Sequence, residues 1–248
     1  MTLFKKFAKN TTGRDLIVGD IHGHFTKLQS LLDEVGFNPE AGDRLFSVGD
    51  LVDRGPESDD ALEWLAKPWF HAVQGNHEGM AIDWAQGMGD RSNYVANGGA
   101  WNVGNTPEVR QLYADAFAAL PIAIELETDL GLLGIVHAGC PSNDWTAFAV
   151  DLQRDDLTPM QRDHLTMMAT WSRDRIHYMD DSMVSGVDAV VVGHTPMERV
   201  TSLGNTIFID TAGWHPKGNG FTILDASTMG KASHTKKPRQ PEQEAFFA

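Results

Sequence analysis

Five apolar runs in this sequence each end on a side chain that can bind a metal ion. The run at 16–18 leads through Gly19 to Asp20, with His22 two residues further on. The run at 45–48 leads through Gly49 to Asp50, and that at 69–73 leads past Gly75 to Asn76 and His77. The run at 132–136 leads straight to His137, and 189–192 leads through Gly193 to His194. Asp20, His22, Asp50, Asn76, His137 and His194 offer oxygen and nitrogen donors and no thiolate. That set suits manganese, iron, zinc or a similar divalent ion and argues against copper(I) or an iron–sulfur cluster. Six donors exceed the three that one catalytic zinc commonly takes. They suit two ions, which in such sites lie about 3.5–4 Å apart. Asp50 is the natural bridge, because one carboxylate can bind both ions. Singly, an aspartate after a strand is more often a turn or helix-cap residue, and a lone buried histidine a hydrogen-bonded core residue. The coincidence of five strand ends is what points to a metal centre, since sites on sheets form beyond the carboxyl ends of strands.

The elements that must position these residues can be read from hydrophobic spacing. A strand at 16–18 is followed by Phe25, Leu28, Leu31, Leu32 and Val35 at helical spacing, with Gly36 as the C-cap. A strand at 45–48, a helix around Ala61, Leu62 and Leu65, and a strand at 69–73 complete an α/β alternation. Asn97-Gly98-Gly99 reads as a turn, 109–120 as a helix ended by Pro121, and 122–126 and 132–136 as paired strands about a turn at 129–131. A helix at 161–170 leads into Trp171-Ser172-Arg173. The late strands at 189–192, 206–209 and 221–224 follow without helices between them, which implies a second sheet packed on the first. From Ser227 the apolar content collapses. The expected division is a catalytic domain over 14–226 and a disordered polar tail over 227–248.

The chain has 248 residues, enough for one large domain, and its 42% hydrophobic content is that of a globular protein. Its formal net charge of -14 disfavours nucleic acid as a partner, because a phosphate backbone needs a basic footprint. Cys140 is the single cysteine, so no intrachain disulfide forms. No stretch approaches the roughly 20 apolar residues of a membrane span. The expectation is a soluble, cytoplasmic monomer with no membrane partner.

The motifs, taken together, are similar to those of a known family. Gly19-Asp20-Ile21-His22-Gly23, Gly49-Asp50-Leu51-Val52-Asp53-Arg54-Gly55 and Gly75-Asn76-His77-Glu78 resemble, in order and spacing, the three signatures of the phosphoprotein phosphatases, a family of calcineurin-like metallophosphoesterases. Val136-His137-Ala138-Gly139 and Val192-Gly193-His194-Thr195-Pro196 resemble the two later histidine motifs, and Trp171-Ser172-Arg173 the loop carrying a second phosphate-binding arginine. The likeness is greatest to the compact serine/threonine phosphatases of the bacterial and phage-lambda type and covers about residues 14–224.

This resemblance implies a four-layer α/β/β/α sandwich of two mixed sheets flanked by helices. It implies two divalent metals, Mn2+ foremost with iron, zinc or nickel as substitutes, and hydrolysis of phosphoserine and phosphothreonine with activity extending to phosphotyrosine. The expected chemistry is in-line attack on phosphorus by a hydroxide shared between the metals. Arg54 and Arg173 would clamp the phosphoryl group, because guanidinium matches its oxygens in a bidentate fork, and Arg175 competes with Arg173 for that role. His77 would protonate the leaving group, with Asp53 holding its imidazole. The substrates implied are phosphorylated proteins or small phosphate esters. Two features depart from the family pattern: Gln74 stands where many members have arginine, and Thr211-Ala212-Gly213-Trp214 lies near the place of a Ser-Ala-Pro-Asn-Tyr motif found in eukaryotic members. The rival expectations are a diadenosine tetraphosphate hydrolase, a nuclease, and a catalytically silent phosphoprotein-binding module.

Overall fold

An unbroken apolar run such as Leu16-Ile17-Val18 makes a strand that is buried on both faces. The fold is organised around strands of that kind. The computed structural model describes residues 3–233. Its strands are β1 (Phe4–Phe7), β2 (Asp15–Val18), β3 (Arg44–Ser47), β4 (Phe70–Ala72), β5 (Ala123–Thr128), β6 (Gly131–Val136), β7 (Ala189–Val192), β8 (Thr201–Leu203), β9 (Thr206–Phe208), β10 (Ile223–Asp225) and β11 (Gly230–Ser233). Its α-helices are α1 (Phe25–Glu34), α2 (Ala61–Leu65), α3 (Asn76–Ala85), α4 (Arg91–Ala96), α5 (Ala100–Val103), α6 (Pro107–Ala118), α7 (Trp145–Leu152), α8 (Pro159–Trp171) and α9 (Asp174–His177). Among the described residues, no helix is long and apolar enough to cross a membrane.

Both sheets are mixed. One runs β11-β10-β2-β3-β4, with β2, β3 and β4 parallel and β10 antiparallel to β2. The other runs β1-β5-β6-β7-β9-β8, with β6, β7 and β9 parallel. Alternate side chains of each strand enter different cores. Leu16, Val18 and Leu45 pack outward against Phe25, Leu28 and Leu32 of α1, Trp64 of α2 and Phe117 of α6. Ile17 and Phe46 face inward onto Ile124, Leu133, Ile135 and Val191 of the opposite sheet. Val136, Val190 and Val192 pack outward on Trp145 and Phe148 of α7 and Ala169 of α8. The result is the four-layer α/β/β/α sandwich. Each fully buried Leu, Ile or Val contributes about 1.5–3 kcal/mol, and the shared middle layer fixes one sheet edge relative to the other.

Helix ends are set locally. Thr106 and Thr158 cap α6 and α8 with side-chain oxygens that accept N–H bonds, and each is followed by a proline at the first helical position. The α3 helix has no expected counterpart, because its first turn carries ligands and not an apolar stripe. It starts directly at Asn76, and the Glu78 carboxylate reaches back to accept the Gly75 N–H at 2.7 Å.

One expectation is corrected, and the described strands run past two expected bounds. The strand expected at 221–224 does not join the late strands. It becomes β10 and returns to the first sheet, where Ile223 pairs with Val18 and the alternation of Ile223 and Leu224 continues the two cores of β2. The folded unit begins before residue 14, because Phe4 and Phe7 bury alternate faces of β1 beside β5 despite the two lysines between them. It also extends past 226, since β11 pairs with β10 within the span expected as a tail. Residues 234–248 of that expected tail lie outside the described residues.

Candidate active site

Because β2, β3 and β4 are parallel, their carboxyl ends share one edge, and that edge delivers Asp20, His22, Asp50 and Asn76. The parallel β6 and β7 deliver His137 and His194. The two edges meet, and the six residues converge with Asp50 at the centre. Its Oδ2 lies 3.5 Å from His22 Nε2 and 3.8 Å from His77 Nε2, and its Oδ1 lies 3.3 Å from His137 Nε2. Two groups with metal-binding geometry therefore share this carboxylate: His22, Asp50 and His77, and Asp50, His137 and His194. Asn76 Oδ1 lies 2.9 Å from both His137 Nε2 and His194 Nδ1. Asp20 accepts the His194 backbone N–H on both carboxylate oxygens, at 3.2 and 3.1 Å.

The imidazoles are oriented by their other nitrogens. His22 donates Nδ1–H to the Val52 carbonyl and His137 to that of Val48, while His194 donates Nε2–H to Trp171. Each ring so presents its remaining nitrogen inward, the arrangement that fixes the tautomer of a ligating histidine. His22 Nε2 is sealed from solvent with no hydrogen-bond partner, and so is Asp210 Oδ2. A buried polar atom without a partner is costly, and a cation satisfies it.

The backbone around the site is strained and tightly held. His22, Asp50, Asp53, Arg54 and His194 all have positive φ, between 46° and 69°. Such conformations cost non-glycine residues about 1–3 kcal/mol each and persist where surrounding bonds over-determine them. Here the Asp50 carbonyl accepts N–H bonds from both Ile21 and His22, and the Glu78 carboxylate accepts those of Asp50, Leu51 and Gly75. Glycine is required at 75 and 193, where a Cβ would collide with the carboxylates of Asp50 and Asp20 respectively.

The charge balance calls for cations. Burial, reinforced by Asp210, raises the Asp20 carboxyl well above its ordinary range. Burial likewise pushes Asp210 up to about 6 and Glu78 up to about 7, with Asp50 adding to both. For Asp50 the upward pull of burial is outweighed by His137, His77 and His22, and its carboxyl is held well below the usual range. Burial alone would depress His137, but Asp50 and Asp20 raise it to about 10. Burial lowers His22 well below its ordinary value and His194 to about 3. Carboxylates crowded this closely are stabilised by bound divalent ions, which become the dominant local charges. The donors are hard or intermediate oxygen and nitrogen atoms, so the residues fit a metal pair.

Beside this cluster, Asp53 Oδ2 accepts the His77 Nδ1–H at 2.7 Å. Arg54 donates to His77 Nε2 at 3.1 Å. Arg173 lies at the other end, donating to the His194 carbonyl at 3.4 Å. Arg175 is already engaged: it donates to the carbonyls of Asp180, Ser182 and Leu203 and to the Asn143 side chain. Of the two arginines in competition, Arg175 is the more fully engaged. Gln74 donates to the Phe117 carbonyl at 3.0 Å, tying the end of β4 to α6. Burial pushes the Cys140 thiol up to about 12, so it is no nucleophile at neutral pH.

Four residues beside this cluster were not singled out by spacing. Glu78 and Asp210 are described above; the first lies inside a recognised motif and could have been inferred from it. Trp101 Nε1 donates to Asp53 Oδ1 at 2.6 Å. The Trp214 ring lies 4.4 Å from the Arg54 guanidinium and meets the His22 ring edge-on at 4.9 Å.

The fold and this site together define a phosphoesterase, and the comparisons agree. Residues 14–198 match the profile described as calcineurin-like phosphoesterase, and the chain belongs to that family of hydrolases. It is 35% identical over 201 residues to "Serine/threonine-protein phosphatase 2" of Escherichia coli (strain K12), an alignment covering 79% of this chain and 85% of that protein. It is 28% identical over 262 residues to "Bis(5'-nucleosyl)-tetraphosphatase PrpE [asymmetrical]" of Geobacillus thermodenitrificans, covering 94% and 98%. The fold matches a solved structure titled as a putative diadenosine tetraphosphatase with a TM-score of 0.62 at 21% identity, covering 93% of this chain and 96% of that one.

Proposed function

We propose that this protein is a metal-dependent phosphomonoesterase acting on phosphoserine and phosphothreonine in proteins, with phosphotyrosine as a secondary substrate. The observation that carries the reading is His77, held between Asp53 and Arg54 and grouped with His22 and Asp50, the carboxylate shared with His137 and His194. Asp20, His22, Asp50, Asn76, His137 and His194 hold a pair of divalent ions, with Mn2+ as the activating metal. When bound, that pair supplies Lewis acidity toward the attacking water and a phosphoryl oxygen.

The chain's own groups do the rest. Arg54 and Arg173, on opposite sides of the cluster, bind the phosphoryl oxygens through paired N–H donors. Binding of phosphate draws the Arg54 guanidinium off His77 Nε2. His77 Nε2, once free of Arg54, takes a proton from solvent and passes it to the leaving alkoxide, while Asp53 accepts the Nδ1–H and fixes the ring. A monoester has three non-bridging oxygens for the two arginines, which favours phosphate monoesters over the diesters of a nuclease.

The experiment is a panel of phosphoserine, phosphothreonine and phosphotyrosine peptides beside diadenosine tetraphosphate, with Mn2+-loaded protein. The expected kcat/KM is highest for phosphoserine or phosphothreonine peptides. Preference for diadenosine tetraphosphate would replace this reading with a dinucleoside polyphosphate hydrolase, in line with the name borne by the Geobacillus relative. No turnover on any member of the panel would leave a phosphoprotein-binding module.

A further inference from the structure

Arg54 is an unusual place for a precise clamp. Its own φ is +66° and that of Asp53 before it is +69°, so the side chain leaves a strained turn and not a strand or helix. One backbone bond, from the Arg54 N–H to the Gly98 carbonyl at 3.4 Å, holds the turn from outside. An arginine on such a base keeps many rotamers unless its planar head is packed, and ordering a long side chain costs about 1.5–2 kcal/mol.

The packing comes from the other side of the site. Trp214 lies between β9 and β10, in a segment pinned by Lys27, whose ammonium donates to the Gly213 carbonyl, and by Thr211 Oγ1, which donates to the Gly220 carbonyl at 2.6 Å. The indole face covers the Arg54 guanidinium with its central carbon 4.4 Å from the ring centroid, within cation–π range. The indole also meets His22 at 77° between ring planes, so its position is fixed against a candidate metal ligand. Its Nε1 has no hydrogen-bond partner, so the contact with Arg54 is through the ring face alone. With its central carbon over the indole, the guanidinium still donates to His77 Nε2 at 3.1 Å.

We infer that Trp214 is a positioning residue for the phosphate clamp: it holds the Arg54 guanidinium in the plane that meets a phosphoryl group beside His77. This rests on the clamp role proposed for Arg54. A Trp at this place in the chain would thus set affinity for the phosphoryl group itself, whatever is attached to it.

The test uses inorganic phosphate as a competitive inhibitor of the Mn2+-loaded full chain. Ki is measured for wild type, Trp214→Ala, Trp214→Phe, Trp214→Leu, Arg54→Ala and the Arg54→Ala/Trp214→Ala double variant, with metal content of each by elemental analysis. Loss of a cation–π contact to a solvent-exposed arginine raises Ki for Trp214→Ala by up to about 5-fold. Trp214→Phe recovers most of that, while metal content stays at the wild-type level. In the Arg54→Ala background, removing Trp214 changes Ki less than about 2-fold, because residues acting through one contact are not additive. A Trp214→Ala effect of equal size with and without Arg54, or no effect at all, would overturn the inference. If Trp214→Ala loses metal or fails to fold, Phe and Leu decide it: Leu keeps apolar cover without a π face, and equal Ki values for the two would overturn it. An unchanged Ki for Arg54→Ala alone would instead refute the clamp role on which the inference stands.

Discussion

The Asp53 carboxylate lies 2.7 Å from His77 Nδ1, and both side chains are fully buried. A buried carboxylate bonded to one ring nitrogen sets the tautomer of the other, so Nε2 is the atom left for the proposed proton transfer. His77→Asn is expected to lower kcat by about 10²–10⁴-fold, the range for losing a general acid. Loss should be smaller for nitrophenyl phosphate than for phenyl phosphate, since a good leaving group needs less protonation. Steady-state kinetics on both esters check this, and equal losses would remove His77 as the proton donor.

Asp50 is the one carboxylate common to both candidate ligand groups. Asp50→Asn replaces one of its oxygens with an amide nitrogen, which is a poor ligand, and removes a charge that three imidazoles face. The expected result is loss of tight binding of the metal pair, read as ions per chain by elemental analysis after desalting. Retention of two ions per chain would refute the bridging role. The metal-free wild type should also melt at a lower temperature than the loaded protein, because a ligand at 1,000 times its Kd stabilises by about 4.1 kcal/mol.

How much of this was legible in the sequence differs between residue types. The candidate metal-binding residues at strand ends could be named from the sequence because each follows an apolar run and the chemistry of aspartate and histidine is narrow. The sandwich was legible in outline, since runs such as 189–192 need burial on both faces. The return of β10 to the first sheet was not, because pairing partners of a three-residue strand are chosen by the free edge of β2 and not by its own pattern. Trp101 and Trp214 were illegible as site residues for a different reason. An indole fits a core as well as a site, and what brings these two beside the cluster is a tertiary contact with Asp53 and Arg54.

Trp101 supplies the second hydrogen bond to Asp53, through Nε1 at 2.6 Å. Trp101→Phe keeps an aromatic ring against Tyr113 while removing the Nε1 donor and part of the indole. Hydrogen bonds to charged groups contribute about 1.5–3 kcal/mol. Half of that, expressed in the orientation of His77, corresponds to a fall in kcat of about 4–13-fold, by the relation of 1.36 kcal/mol per tenfold. KM should move less than kcat, because the phosphate contacts are untouched. A kcat unchanged in Trp101→Phe would show that the Asp53–His77 pair is positioned without it.

Away from the site, His71 on β4 sits among Phe7, Phe46, Lys5 and Arg44, with ring centroids 4.5 Å from Phe7 and 5.2 Å from Phe46. Burial, with Lys5 and Arg44 adding to it, lowers its pKa to about 4. The folded protein therefore keeps this ring neutral down to about pH 4, whereas the unfolded chain protonates it near its ordinary value of about 6.5. Between those two values the unfolded state binds more protons, so stability falls as the pH drops. The contribution is intact above about pH 6.5 and is lost progressively toward pH 4. Because the ring is partly exposed, solvent screening reduces the effect, to about 1–2 kcal/mol at pH 5. His71→Phe, which fits between the same rings, should remove this component. Urea unfolding at pH 7.5 and pH 5.0 is expected to show the variant gaining on wild type by that amount at the lower pH. Parallel pH dependence in the two proteins would mean that His71 titrates alike folded and unfolded, and that acid sensitivity resides in the carboxylates around Asp50.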